Sequence, residues 1–204
     1  MEIKSNKQVK RWVFASEHAP VFSNGLPSAV DHQHYVLNEH FLHIIDGSLD
    51  ESFEKLTENL DPHLSTDLLK HHTERIFQKS PKAENISDRW QNSKQVVMTL
   101  EIQHDPQLLE EYKQVHMPER IWPQIIQNMD TMGVMDMELY AFGYRIFLMM
   151  EVPTTFNLND EGKKWGSLPR EQEWQNYVAK FQKTSPDNKI EEKWAMMEPF
   201  LPAN

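Results

Sequence analysis

Tyr112 and His116 stand four residues apart in the stretch 111–123, where the residue types most suggest chemistry. Four residues make about one helical turn, so both side chains leave the same face of a helix. An imidazole exchanges protons near neutral pH, and a phenol beside it can donate or accept a hydrogen bond. Trp122 follows closely and offers an apolar ring for packing. These residue types are suited to a carbohydrate site that works by proton transfer.

Two prolines divide this stretch. Pro118 lies between His116 and Trp122, and it removes a backbone hydrogen bond that a continuous helix needs. We therefore expect the helix to be interrupted there. Tyr112 and His116 precede the interruption, so their relative placement is expected to be more secure than that of Trp122.

Composition excludes several classes of protein. The 204 residues carry a net charge of −10, which argues against a protein that binds nucleic acid through phosphates. The chain has no cysteine, which excludes disulfides and thiolate metal sites. No apolar run approaches the ~20 residues that span a bilayer, and residues 1–7 lack the apolar core of a signal peptide. A cytoplasmic protein without nucleic-acid or membrane partners is the expectation.

The second half of the chain predicts alternating strands and helices. Asp105 and Pro106 form a helix start, and a tight turn at 142–143 joins two strands into a hairpin. The predicted elements are a strand over 96–102, a helix after 105, strands over 135–140 and 144–152, a helix over 169–183 and a strand over 194–200. This order, β-α-β-β-α-β, predicts an α+β, ferredoxin-like domain over residues 95–204, with both helices on one face of the sheet. The other face is then expected to be covered by a second copy, giving a homodimer, or by the first half of the chain.

The first half predicts helices after an alternating stretch near residues 9–14. Ser28 can cap a helix that ends at Gly47, and Ser48 with Glu51 matches a capping box for a second helix. A third helix is predicted over 68–77, and the polar stretch 78–94 is predicted to be a linker. Residues 1–94 are thus expected to be a mainly α-helical extension. We find no convincing internal repeat in the sequence.

Further polar candidates lie on the predicted hairpin. Asp136, Glu138 and Tyr140 share one face of a strand, and Arg145 on the next strand can pair with one of the carboxylates. They could line a polar cleft and assist His116, or they could simply face water.

Histidines of the first half raise the possibility of a metal site. Eight of the ten histidines precede residue 80. On predicted helices, the nitrogen and carboxylate ligands would be His32, His34, Glu39, His40, His43, His71, His72 and Glu74. No paired ligand motif recurs in register, so solvated helix faces explain them more simply, and no metal is expected.

From about residue 95 to its end, the chain resembles the L-rhamnose mutarotase family, and specifically its L-fucose mutarotase-like members. The motifs that carry the resemblance are, in chain order, Glu111-Tyr112 with His116, Trp122-Pro123, the hairpin segments 133–140 and 145–151, Gln172-Glu173-Trp174, and 194–198. One departure is the spacing of six residues between His116 and Trp122, which is two residues longer than in the short rhamnose-type pattern.

The resemblance implies a dimeric α+β barrel that interconverts the α and β anomers of a 6-deoxy-L-hexose without a cofactor. It implies His116 as the acid/base, and Tyr112 is its natural hydroxyl-bearing partner. Trp122 and Trp174 are expected to be apolar walls against the sugar. Two alternatives stay open: another enzyme of this barrel fold, such as a cofactor-free monooxygenase or a haem-degrading enzyme, or a non-catalytic sugar-binding or regulatory protein.

Overall fold

The computed structural model describes residues 9–16, 31–38, 40–48, 72–79, 92–183 and 193–199. These residues fall into two compact units. The first unit contains residues 9–16, 31–38, 40–48, 72–73 and 197–199, and the second contains residues 74–79, 92–183 and 193–196.

Nine strands and four helices make up the regular structure of the described residues. The strands are β1 (Val9–Ser16), β2 (Asp31–Leu37), β3 (His40–Ser48), β4 (Glu74–Gln78), β5 (Ser93–Glu101), β6 (Asp136–Phe142), β7 (Arg145–Pro153), β8 (Ala195–Met196) and β9 (Glu198–Pro199). The helices are α1 (Pro106–Val115), α2 (Pro123–Thr131), α3 (Leu158–Gly166) and α4 (Glu171–Ala179).

The second unit has a five-stranded antiparallel sheet in the order β4-β6-β7-β5-β8. Helices α1 and α2 connect β5 to β6, and α3 and α4 connect β7 to β8. Without β4, the order is compatible with the ferredoxin-like arrangement that the sequence predicts. The sequence did not predict α3, and it assigned the residues of β4 to a helix.

Local signals set the start and end of α1. The Asp105 carboxylate accepts hydrogen bonds from the backbone N–H groups of Gln107 and Leu108, at 2.7 and 3.3 Å, and Pro106 occupies the first turn. The helix ends at Val115, and α2 begins only at Pro123. This confirms the predicted interruption near Pro118. Its physical cause is that helical geometry is disfavoured for the residue before a proline.

The hairpin of β6 and β7 is also confirmed. Phe142 pairs with Arg145, so Gly143 and Tyr144 form a two-residue loop one position later than predicted. Gly143 has a φ of +55°, a value that costs glycine little because it lacks a Cβ atom.

One face of this sheet packs with the helices into the hydrophobic core. Alternate residues of β5, β6 and β7 join Tyr112 of α1, Ile125 of α2 and Trp174 of α4 in one cluster. The opposite face is buried as well: Val97, Thr99 and Phe147 are each 1% exposed in this single chain.

The first unit has an antiparallel sheet in the order β1-β3-β2-β9. The helix predicted from Ser28 to Gly47 is wrong, because β2 and β3 form a hairpin within that range. Short apolar runs fit both the helix period and the strand period. Here, pairing with the strands β1 and β9 outweighs the local preference for helix. The second helix predicted after Ser48 and the centre of the linker predicted over 78–94 fall outside the described residues.

Two further predictions need correction. The helix predicted over 68–77 is wrong for its last residues, since Glu74–Gln78 is strand β4. The single strand predicted over 194–200 is divided into β8 and β9, which belong to different sheets. None of the helices in the described ranges is long and apolar enough to cross a bilayer.

Candidate active site

A cavity lies in the second unit between the sheet and its helices. The space among its lining residues is about 840 Å³, part of it open to solvent. The side chains that line it from the sheet are Phe77, Met98, Met137, Leu139, Leu148 and Met150. The groups with polar atoms that line it are Tyr112, His116, Trp165, Glu171, Trp174, Gln175, Gln182 and Trp194. The cavity is thus apolar on its sheet side and carries a small set of polar groups on the other.

His116 is the C-cap residue directly after the end of α1, and it is 5% exposed. Its Nδ1 lies 2.7 Å from the backbone carbonyl oxygen of Tyr112. A carbonyl oxygen only accepts, so Nδ1 carries the hydrogen and Nε2 carries the lone pair. Burial lowers the pKa of His116 to about 4, although the hydrogen bond to the Tyr112 carbonyl opposes this shift. At neutral pH the ring is therefore an uncharged proton acceptor.

Tyr112 is 1% exposed, and its ring centroid lies 4.3 Å from that of His116. The structure thus brings the two predicted catalytic residues together in one cavity. Burial raises the pKa of the Tyr112 phenol well above its usual range. The hydroxyl therefore keeps its proton and can act only as a hydrogen-bonding group.

Of the two tryptophans predicted to form the cavity wall, Trp174 lines the cavity and Trp122 lies behind it. Trp174 lines the cavity and meets the His116 ring edge-on at 5.4 Å. Trp122 is outside the lining and packs edge-on against Trp174 at 5.4 Å. It also stacks on Tyr177 and lies beneath the guanidinium of Arg170, which is 4.2 Å from the ring centroid. Trp122 therefore supports the wall that Trp174 forms.

The predicted polar residues of the hairpin lie away from His116. Met137 and Leu139 face the cavity, so the alternating Asp136 and Glu138 point to the opposite face of the sheet. There the Arg75 guanidinium donates to Glu138 Oε1 at 3.2 Å. Arg145, the first residue of β7, is paired in register with Glu101 of β5 and does not line the cavity. The structure does not bring these three residues to the site.

Glu171 is a cavity-lining carboxylate that sequence reasoning missed. It is 2% exposed, and amide N–H groups of Asn128 and Gln175 donate to its two oxygens at 2.9 Å each. Asn128 also donates to the backbone carbonyl of Pro169 at 3.0 Å, which fixes the amide between α2 and α4. The adjacent motif Gln172-Glu173-Trp174 contains no signal that Glu171, the residue before it, is buried.

Arg170 directs the chain into α4 immediately before Glu171. Its φ of +59° lies in the left-handed region, which non-glycine residues rarely adopt. The Arg170 side chain is held by the ring of Trp122 and by Glu173, whose carboxylate lies 3.2 Å from Nε. Such conformations persist only where surrounding contacts impose them, and they cluster at functional sites.

Gln182 supplies a second polar group that the sequence did not reveal. It is 2% exposed and lines the cavity. Among the residues that the structure describes, its Oε1 has no hydrogen-bond partner. Buried polar atoms are nearly always paired, so this oxygen is suited to accept a hydrogen bond from a ligand.

The first-half histidines considered as possible metal ligands lie in strands or in a bridge where the structure describes them. His34 and His43 lie on β2 and β3 rather than on helices, and His72 forms a bridge with Phe14. In the parts of the chain that are described, no group of three or more His, Asp or Glu side chains is placed to hold a metal.

The site thus combines an uncharged imidazole, a phenol, a carboxylate and an amide oxygen in a largely apolar cavity. Such a set can bind several hydroxyl groups and can move one proton at Nε2 of His116.

Comparison with known proteins matches about half of this chain. A family model described as L-rhamnose mutarotase matches residues 95–200. An L-fucose mutarotase of Xanthomonas campestris pv. campestris is 26% identical over 95 residues, which cover 47% of this chain and 76% of that protein. A UPF0734 protein of Dictyostelium discoideum is 28% identical over 109 residues, 52% of this chain and 86% of that protein.

Proposed function

Because this chain belongs to the L-rhamnose mutarotase family, we propose that it interconverts the α and β anomers of a 6-deoxy-L-hexose, L-fucose or L-rhamnose, without a cofactor. The observation that carries this proposal is the imidazole of His116 in the cavity of the second unit. Its Nδ1 is engaged by the Tyr112 carbonyl, so Nε2 is the atom that exchanges a proton with a sugar. The partial similarity to an L-fucose mutarotase also supports it.

In the proposed reaction, Nε2 of His116 takes the proton of the anomeric hydroxyl. The C1–O1 bond becomes a carbonyl while the bond from C1 to the ring oxygen breaks. The imidazolium then gives the same proton to the ring oxygen, so the open-chain aldehyde forms with no change in charge. Rotation about the C1–C2 bond presents the other face of the carbonyl, and the reverse steps close the ring as the other anomer.

The low pKa of His116 fits the second half of this cycle. Burial destabilises the imidazolium, so the protonated ring is a strong acid that returns its proton readily. The same low pKa makes uncharged His116 a weaker base in the first step. General acid–base catalysis of this kind contributes ~100- to 10,000-fold, which is proportionate for a reaction that already proceeds in water.

The other cavity groups have binding roles in this proposal. The Tyr112 hydroxyl donates a hydrogen bond to the ring oxygen, since its raised pKa disfavours loss of the proton. The Glu171 carboxylate and Gln182 Oε1 accept hydrogen bonds from sugar hydroxyls. The Trp174 ring packs on the apolar face that includes the C6 methyl group.

The test is nuclear magnetic resonance saturation exchange between the two anomeric protons of L-fucose and of L-rhamnose. We expect the protein to accelerate exchange of at least one of these sugars in a concentration-dependent manner. The absence of acceleration for every 6-deoxy-L-hexose would refute the proposal.

A cytoplasmic location and a homodimer stay predictions from the sequence. Sedimentation equilibrium on the full chain measures the assembly directly, with a single chain of 24.2 kDa as the reference mass.

A further inference from the structure

The cavity of the second unit extends along the whole of α4. Glu171 lines it from the first residue of this helix, and Gln182 lines it from three residues beyond the last, Ala179. The nine residues of α4 rise by about 12 Å in all, at ~1.5 Å per residue. This length exceeds that of one pyranose ring, so the cavity continues along α4 beyond a single 6-deoxy-L-hexose.

A series of ring contacts places His116 along this length. The His116 ring lies 5.4 Å from that of Trp174 and 4.3 Å from that of Tyr112, and the Tyr112 ring lies 5.7 Å from that of Phe181. Trp174 and Phe181 are seven residues apart in the chain, so they lie toward opposite ends of the cavity. Gln182 directly follows Phe181, and its amide is therefore separated from the Trp174 end by His116 and Tyr112.

Gln182 is held rigidly against the outer edge of the sheet. It forms a bridge with Ile102, and the backbone N–H of Lys183 donates to the carbonyl oxygen of Glu101 at 2.8 Å. Gln182 is 2% exposed, yet its Oε1 accepts no hydrogen bond from any residue that the structure describes. Buried polar atoms are nearly always paired, so this fixed oxygen is suited to a donor that a ligand supplies.

Trp194 lies beside Gln182 along the same edge of the sheet. Ala195 of β8 pairs with Thr99 of β5, and Gln182 bridges Ile102, which is three residues further along the chain. This step corresponds to about 10 Å, at ~3.4 Å per residue. Trp194 directly precedes Ala195 and β8 is antiparallel to β5, so Trp194 falls between Ala195 and Gln182. Both Gln182 and Trp194 line the cavity.

These two residues, which we call the Gln182–Trp194 pair, have the properties of a subsite for a sugar ring. An indole packs against the apolar face of a pyranose, and an amide oxygen accepts a hydrogen bond from a hydroxyl group. Trp194 is half-buried, whereas Trp174 beside His116 is 5% exposed. Trp194 thus stands at a more open part of the cavity, where a ligand can continue toward solvent.

We propose that the Gln182–Trp194 pair forms a second sugar subsite, and that the substrate is an oligosaccharide whose reducing end is the 6-deoxy-L-hexose. This inference rests on the mutarotase function proposed for the ring at His116. Mutarotation needs a free anomeric hydroxyl group, so the second ring is attached through O2, O3 or O4 of the first. The second ring packs on Trp194 and donates one hydroxyl hydrogen to Gln182 Oε1.

Binding is separated from reaction by analogues in which hydrogen replaces the anomeric hydroxyl group, because these rings cannot open. The probes are such analogues of L-fucose and L-rhamnose, each alone and each carrying a D-glucosyl residue at O2, O3 or O4. In isothermal titration calorimetry, at least one disaccharide analogue should bind ~10-fold or more tightly than its monosaccharide, because a ring contact and a hydrogen bond are added. If no disaccharide analogue binds more tightly than its monosaccharide, the second subsite is refuted.

Two variants test which residues hold the second ring. Gln182→Met replaces the amide with an apolar chain of similar length, and Trp194→Leu removes the indole. Each should lower the ratio of disaccharide to monosaccharide affinity by ~3-fold or more. Gln172→Met is the matched control, since Gln172 is exposed on α4 and lies outside the lining, and it should keep the wild-type ratio. A wild-type ratio in both test variants would overturn the assignment to the Gln182–Trp194 pair.

Should these variants fail to fold, the ¹⁵N-labelled wild type decides. The indole signal of Trp194 and the side-chain amide signal of Gln182 should shift in a saturable manner with the tighter disaccharide analogue, and more than with its monosaccharide. Equal shifts with both probes would refute the second subsite.

The two proposals can fail separately. Accelerated anomer exchange of L-fucose or L-rhamnose, without tighter binding of any disaccharide analogue, would remove only the second subsite. Tighter binding that depends on Gln182 and Trp194, without anomer exchange of any sugar, would remove the mutarotase function and leave a binding site for two rings.

Discussion

The Nδ1 atom of His116 lies 2.7 Å from the carbonyl oxygen of Tyr112, one turn earlier in the same helix. This hydrogen bond determines which nitrogen faces the cavity as a proton acceptor. The centroids of the two rings lie 4.3 Å apart, so the phenol and the imidazole border the same part of the cavity.

Replacement of His116 by Asn should lower the acceleration of anomer exchange by ~100- to 10,000-fold, because asparagine cannot take the anomeric proton. Saturation exchange at one sugar concentration measures the effect. The matched control is His104→Asn, since His104 lies on the surface of the same unit with its side chain 57% exposed. Retention of most of the acceleration by the His116 variant would refute the assignment.

The pH profile of exchange should have an acidic limb centred near pH 4. The reaction needs uncharged His116, and burial lowers the pKa of that ring to about 4. The enzyme-dependent rate should thus be level between pH 6 and 8 and fall as the pH drops through 4. Measurement of kcat/KM after subtraction of the buffer rate tests this. A midpoint near 6.5 would show that His116 titrates as a solvated imidazole.

His116 should also make folding stability depend on pH. In the unfolded chain the ring takes up a proton below about pH 6.5, whereas in the folded chain it does so only near 4. The free energy of unfolding should therefore decrease as the pH falls between these values, by about 3 kcal/mol in all for this one group. Urea denaturation of the wild type and of His116→Gln at several pH values isolates the effect. Parallel pH dependences for the two proteins would contradict it.

Replacement of Glu171 by Gln should raise KM by ~10-fold or more while the protein remains folded. A hydrogen bond to a charged group contributes about 1.5–3 kcal/mol, and glutamine keeps the size of the side chain but loses the charge. Glu173→Gln is the control on the same helix, since that carboxylate is 63% exposed. Equal KM values for the wild type and Glu171→Gln would exclude the carboxylate from sugar binding.

Substitution of Trp174 should affect sugar binding, whereas substitution of Trp122 should affect mainly folding stability. Trp174→Leu should raise KM, because this ring lines the cavity. Trp122→Leu should leave KM within a few-fold and lower the free energy of unfolding by ~1–3 kcal/mol, because this ring packs behind the wall. Kinetics and thermal unfolding of both variants give the comparison. A larger change in KM for Trp122→Leu than for Trp174→Leu would contradict the placement of Trp174 in the cavity wall and Trp122 behind it.

Features encoded by near neighbours could be predicted from the sequence. The four-residue spacing placed Tyr112 and His116 together, and Asp105 with Pro106 marked the start of their helix. Pro118 marked the interruption after it. Each of these depends on contacts within one or two helical turns, for which residue type and spacing are sufficient.

Other predictions failed where the local pattern fits two structures. Residues 31–48 have apolar residues at spacings that suit either a helix or a hairpin, and pairing with β1 selects the hairpin. Alternation along β6 separates Asp136 and Glu138 from Met137 and Leu139, but it does not say which set faces the cavity. Both faces of that strand are buried, so the usual distinction between a wet and a dry face is lost.

By itself the sequence determined the family, the Tyr112–His116 pair and the order of elements in the second half. The tertiary structure alone brought Glu171 and Gln182 into the cavity with His116. The physical reason is the range of the interactions. Hydrogen bonds and caps within a helix depend on adjacent residues, whereas cavity walls and strand register depend on segments far apart in the chain, which meet only after folding.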